Sequence, residues 1–442
     1  MVAFVMKQIL IQLFIINATI LFAVKTDGAE TLDKRIKDSH YLSDSFWIYN
    51  DYNIAKEMAK KQNKPLFITF RCVPCHNCKA FDAEVAQRNK EVADLAKNNF
   101  ISVRLVEMKG IDLGQFQFDY DLNWAAMFLN SDGTVYARYG TQSDQGPDAY
   151  NSIDGLINTM KRVVKAHKNY PQNKSWFKEK KGGPVTQSNP LNLPGLNNPA
   201  KYARQTELSN CIHCHNIYDA IHNELYEKGK LSKNKLWKYP LPQNIGIEID
   251  STAGNVVKKV TAESAAGITG IREGDVICFV QEQRIFSIAD IQWVLHGLSN
   301  EKEKIAITIK REGKELEKIL MTKPGWKVSD ISWRASTWNL PPRLGMWTPP
   351  ADPKTLRESG LPSEKQTVFF KWINRKMETG NAAWKAGLRT GDILTKVNGK
   401  EVNFKPNKFH TYIKLNFKPG DDINFEVFRK GDVKKITFKL FK

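Results

Sequence analysis

Five of the six cysteines fall into two tight clusters, and a cluster of thiols is a pattern of chemistry before it is one of stapling. In Cys211-Ile212-His213-Cys214-His215 two residues separate the thiols and a histidine follows at once. That spacing is used for c-type haem attachment: Cys211 and Cys214 would add to the two vinyl groups, and His215 would reach the iron from the proximal side. One covalent haem c is therefore expected here. A zinc half-site and a structural disulfide remain open as alternatives, although His213 and His222 are not spaced as a second ligand pair.

The other cluster is Cys72-Val-Pro-Cys75-His-Asn-Cys78. Thiol–disulfide exchange is the chemistry such a dithiol would perform, with Cys75 attacking, Cys78 resolving and Cys72 as an extra thiol. Soft-metal binding by the three thiolates and an inert disulfide stay open beside it. Cys278, in an apolar run, reads as a buried core thiol.

Elements able to hold these residues can be read from periodicity. Around the first thiols, a helix over 52–61 precedes an apolar strand over 65–70. A helix from about Cys78, strands over 100–107, 127–129 and 134–139, and a helix over 152–167 follow. Residues 169–210, rich in Pro, Gly, Asn and Lys, read as linker, and short helical segments surround 211–228. Beyond them the chain repeats itself: Ala-Ala-Gly-Ile-Thr-Gly-Ile-Arg-Glu-Gly-Asp-Val-Ile277 is echoed by Ala-Trp-Lys-Ala-Gly-Leu-Arg-Thr-Gly-Asp-Ile-Leu394.

The strand before Cys72 and the Cys75-His-Asn-Cys78 motif resemble the active-site corner of the thioredoxin fold, which implies a helix N-terminus beneath Cys75. Thr69 and Trp124 stand where that fold has a buried aspartate and a cis-proline. Both repeats resemble PDZ domains of the bacterial type, over 243–321 and 367–440. The resemblance implies that an extended chain end is added to a sheet edge. Asn244-Ile245-Gly246-Ile247 would form the loop that receives its carboxylate, and residues 367–372 offer no matching glycine. Taken together, the chain is similar to exported thioredoxin-like/PDZ fusion proteins, some of which carry selenocysteine. Besides the cysteine motifs, the match rests on Trp237-Lys-Tyr-Pro-Leu-Pro242, Ala289-Asp-Ile-Gln-Trp-Val-Leu-His296 and Ser332-Trp-Arg-Ala-Ser336.

The expected fold is multidomain α+β: a thioredoxin-like α/β domain, a short haem-binding helical connector and two PDZ-like β-rich domains. The boundaries are a signal peptide or anchor over 1–29, the thioredoxin-like domain over 41–168 and the haem-bearing linker over 169–242. The first PDZ domain spans 243–322, a Trp-rich connector 323–366 and the second PDZ domain 367–442. Lys7 ahead of an apolar run to Val24 reads as an export signal, which places the chain in the periplasm or an equivalent compartment and limits membrane contact to an uncleaved leader. A formal charge of +19 is spread along the whole chain, against nucleic-acid binding; it reads as a lysine-rich solvated surface, open to an acidic protein partner or an anionic membrane face. The function these features imply is electron transfer or thiol redox work with PDZ-mediated docking; the alternative is a non-enzymatic accessory subunit of a larger redox complex.

Overall fold

The computed structural model describes residues 46–71, 79–85, 89–203, 211–362 and 367–442. The first sheet is built from β1 (Trp47–Tyr49), β2 (Leu66–Arg71), β3 (Ile101–Leu105), β4 (Trp124–Leu129) and β5 (Val135–Tyr139) in the order β1-β3-β2-β4-β5. β1, β3 and β2 run parallel, β4 runs antiparallel to β2, and β5 antiparallel to β4. Every residue of β2, β3, β4 and β5 is buried, the signature of strands covered on both faces. The covering helices are α1 (Tyr52–Gln62), α2 (Lys79–Ala83), α3 (Lys90–Asn99) and α4 (Ile153–Lys168). Local signals start them: Asp51 accepts from the Ile54 amide and Asn89 from the Val92 amide. The sequence reading places α1 and α4 within a residue or two, and omits β1 and α3.

The linker is ordered where it is described. Its helix α5 (Cys214–Glu227) packs Ile217, Tyr218 and Ala220 into the same apolar cluster as Phe70 and Phe118 of the first domain.

The first repeat comprises β6 (Ile247–Ile249), β7 (Val257–Val260), α6 (Ala265–Ile268), β8 (Val276–Val280), β9 (Gln283–Arg284), α7 (Ile288–Gly297), β10 (Lys304–Arg311) and β11 (Lys314–Met321). The second comprises β12 (Met346–Trp347), β13 (Val368–Phe369), β14 (Trp372–Ile373), α8 (Glu378–Lys385), β15 (Ile393–Val397), β16 (Lys400–Glu401), α9 (Pro406–Asn416), β17 (Asp422–Arg429) and β18 (Asp432–Lys439). Each has its own apolar core. The echo in sequence becomes an echo in electrostatics. The Gly-Asp turn aspartate of each copy, Asp275 or Asp392, takes two hydrogen bonds from an arginine on the strand across it, Arg311 or Arg429.

Two buried polar junctions tie these units together. At one, Asp290 of α7 accepts from the Arg138 amide and meets Lys180 Nζ at 2.9 Å, while the Arg138 guanidinium lies 3.5 Å from the Trp293 ring centroid. At the other, Arg334 donates to Asp119 at 2.7 and 2.8 Å and to Asp121 at 3.1 Å, and the Ser336 amide donates to Asp121. The motif Ser332-Trp-Arg-Ala-Ser336 is thus an interdomain clamp.

Candidate peptide-binding site

In the first repeat the chain turns at Gly246, whose φ of +89° falls in the left-handed region. A side chain there would strike Ser264, since an added Cβ would lie 2.1 Å from that Cβ. The Gly246 carbonyl accepts from the Thr261 amide, and β6 then runs antiparallel to β7. Ile245 and Ile247, flanking the glycine, are buried in the core and fix the turn from below. Asn244 does not face a ligand: its amide donates to the carbonyls of Trp326 and Val328. Of the four residues expected to receive a carboxylate, one is therefore committed to structure through its side chain, and the turn itself is Ile245-Gly246-Ile247.

The second repeat builds the same turn from residues outside its sequence-read limits. Leu344-Gly345-Met346 sits in the Trp-rich connector, yet Gly345 has φ +62° and its carbonyl accepts from the Asn374 amide. An added Cβ on Gly345 would lie 3.0 Å from Met377, which occupies the place of Ser264. Leu344 and Met346 are buried in the second core, as Ile245 and Ile247 are in the first. β12 pairs with β14 on one edge, and no other strand among the described residues pairs with it. The missing glycine of 367–372 is thus supplied from upstream, and the signal in the sequence was the parallel between Ile-Gly-Ile and Leu-Gly-Met. A loop carrying the short helix Pro353–Glu358 separates β12 from β13 and hides that parallel.

Beside β12 lies a cavity of about 900 Å³ lined by Trp347, Thr348, Pro349, Pro350, the start of α9, Asp144, Asp330 and Trp333. Thr348 Oγ1 and His410 Nε2, both on its lining, are 2.8 Å apart. Burial, then the nearby Lys414 ammonium, pushes the His410 imidazole down to about 4, so it is neutral at pH 7.

The cysteine sites stand differently. Cys72, Cys75 and Cys78 lie outside the described residues. Later in the chain, the buried Asp82 of α2 accepts from Arg104 at 2.9 Å and from the Trp124 indole at 3.0 Å, with Arg71 Nε at 3.0 Å. A buried carboxylate is present after all, supplied by the helix rather than by strand position 69.

At the second cluster the structure does not fit a porphyrin. Cys211 and Cys214 are each 7% exposed, and Cys214 belongs to the first domain's core with Ile212 and Ile217. His215 Nδ1 instead faces Asp219 Oδ2 at 3.5 Å, and His222 is buried against the Ser336 carbonyl. Among the described residues, no three His, Cys, Asp or Glu side chains are grouped to hold a metal ion.

Comparison with known proteins agrees with the fold and corrects the chemistry. A thioredoxin-like family model matches residues 47–131, and a PDZ domain model matches 243–319 and 373–440. The chain is a multidomain α+β protein with a thioredoxin-like domain and PDZ domains. Among curated proteins it is similar to a probable periplasmic serine endoprotease DegP-like from Pseudomonas savastanoi pv. phaseolicola (strain 1448A / Race 6), 24% identical over 231 residues, covering 50% of this chain and 45% of that one. A protein of the same description from Pseudomonas putida (strain GB-1) is 27% identical over 229 residues, again covering 50% and 45%. The chain spans about half the length of the curated relatives it matches. Among solved structures, the HtrA-type protease AlgW with decapeptide overlaps 42% of this chain and 54% of its own at 13% identity and a TM-score of 0.22, too loose to align the architectures.

These relatives overturn the expected function. DegP-like endoproteases need no haem, and the buried Cys211 and the core-packed Cys214 offer no slot for one. The expectations of haem c, iron at His215, electron transfer and docking to a redox complex are therefore withdrawn.

Proposed function

We propose that this chain is an exported polypeptide-binding protein that takes up extended chain ends through its PDZ architecture. The observation that carries the reading is a repeated one: a left-handed turn glycine, Gly246 or Gly345, leads into a short strand that pairs with its own repeat on one edge. An incoming backbone added to the other edge would satisfy the strand's outward amides and carbonyls, and turn amides would receive a terminal carboxylate. The relatives' description as periplasmic supports the exported location, in accord with the leader-like start. Their description as endoproteases supports polypeptide as the ligand class. Hydrolysis is not carried over, because the region ahead of the PDZ domains matches a thioredoxin-like model.

Fluorescence anisotropy with a pool of labelled decapeptides tests this. Saturable binding that weakens when the carboxyl end is amidated supports it. Equal binding of acid and amide, or none at millimolar peptide, refutes it.

A further inference from the structure

The two repeats share a turn and a helix, but their surroundings differ. In α7 of the first, Ile288, Ala289, Asp290, Ile291, Gln292, Val294 and Leu295 are all buried, so polar and apolar faces alike are covered. In α9 of the second, only Phe409, Thr411 and Ile413 are. The difference has a cause that can be followed around the first groove. On its helix wall, Gln292 Nε2 donates to the Tyr239 carbonyl and its Oε1 accepts from Thr141 Oγ1, both at 2.8 Å. Beside the turn, Gln243 donates to the Tyr150 hydroxyl at 3.2 Å, and the Tyr150 ring packs on the repeat's core. Past the end of β6, Asn158 donates to the Thr252 carbonyl and Arg162 to those of Ala253 and Phe286. Thr141, Tyr150, Asn158 and Arg162 all belong to the thioredoxin-like domain or the loop leading into its last helix.

That packing is close: a Cβ added to Gly155 of α4 would lie 2.2 Å from the Ser251 carbonyl oxygen. Turn, helix wall and far end of the first groove are thus held by the thioredoxin-like domain, with Tyr239 of the linker beside it on the helix wall. In the second repeat, Gln292's counterpart is His410, whose Nε2 meets Thr348 Oγ1 of the same repeat at 2.8 Å on the lining of the 900 Å³ cavity. Trp347 there is 55% exposed, a large ring left to water on a wall that continues through Pro349, Pro350 and Leu356.

Resting on the polypeptide-binding reading above, we infer that each chain takes one peptide, in the second repeat alone, and that the first repeat is an internal platform filled by the thioredoxin-like domain. The occupant is the extended carboxyl-terminal end of another polypeptide with apolar final side chains. Its carboxylate suits the turn at Gly345 in a strongly basic chain, with Lys405 on the cavity wall, and its side chains suit the Trp347–Pro350 surface. Asp330, also on that wall, is neutralised by Lys408 at 3.0 Å; Asp144 is the remaining acidic group lining it.

Isothermal titration of the full chain with the tightest free-carboxylate decapeptide of the pool reads stoichiometry directly. One peptide per chain is expected. Trp347→Ala and the cavity-filling Asn407→Trp are each expected to weaken it at least tenfold; both positions are exposed, so an unchanged melting temperature separates lost binding from lost folding. Two peptides per chain, or one whose affinity both variants leave unchanged, would overturn the inference while leaving polypeptide binding intact. If no decapeptide binds the wild-type chain, it is the functional reading that fails, and this one with it.

Discussion

Lys180 and Asp290 meet at 2.9 Å with 1% and 0% of their side chains exposed, one from the segment after α4 and the other from the first turn of α7. Burial first, offset by Asp290, pushes the Lys180 ammonium down to about 8. Removing one partner strands the other, which costs about 3–5 kcal/mol for a fully buried pair. Lys180→Met should therefore cost about that much in denaturant unfolding. Lys180→Met with Asp290→Asn should recover part of the loss, because it removes the stranded charge while the amide oxygen can still accept from one of the two backbone amides that meet Asp290, that of Arg138. Equal losses in the single and double variants would show that the two charges are not coupled.

The Arg334 clamp is predicted to reject its nearest chemical substitute. Its guanidinium spans Asp119 and Asp121 and also donates to the Lys238 carbonyl. A lysine cannot present that fork. Arg334→Lys should lose about 2–4 kcal/mol and broaden the unfolding transition as the second repeat uncouples from the first domain. Calorimetric scans that stay single and sharp would count against the clamp.

Asp82 answers to two arginines at once. Asp82→Asn keeps the shape but leaves Arg71 and Arg104 without their shared carboxylate, so a loss of about 3 kcal/mol or more is expected. Urea unfolding measures it. A change below about 0.5 kcal/mol, typical of surface sites, would mean water reaches this cluster.

Acid should loosen the protein before its carboxylates titrate fully. Burial, then Lys238, pushes the His222 imidazole down to about 4, and it is 2% exposed. Between that value and the ordinary imidazole range the unfolded chain binds the extra proton, so stability is full near pH 7 and falls as pH drops toward 4. The full effect for His222 is about 3 kcal/mol. His222→Gln should flatten the stability profile between pH 6.5 and 4 relative to wild type. An unaltered slope would remove His222 as its source.

How much of this could be read from sequence depended on whether the signal was local. α1, β2, β5 and α4 announce themselves through caps and apolar runs, and the Gly-Asp turns of Asp275 and Asp392 through direct repetition. β1 was missed because three residues pairing with β3 leave no periodicity to detect. The turn at Gly345 was missed because an inserted loop separates it from the strand it pairs with. Cys211 and Cys214 misled because spacing says nothing about environment: the same five residues suit a haem only if their thiols face an open slot, and here both are buried, Cys214 in the first domain's core with Ile212 and Ile217.

The unequal covering of α7 and α9 has a practical corollary for dissecting the chain. A fragment confined to the second repeat and its upstream turn would bare little that is not already wet, and should be soluble by itself. The first repeat cut free would expose Ala289, Gln292, the Trp293 ring and a charged Asp290 that has lost its lysine. Such a fragment should self-associate, and recover solubility only when the thioredoxin-like domain is supplied on the same chain.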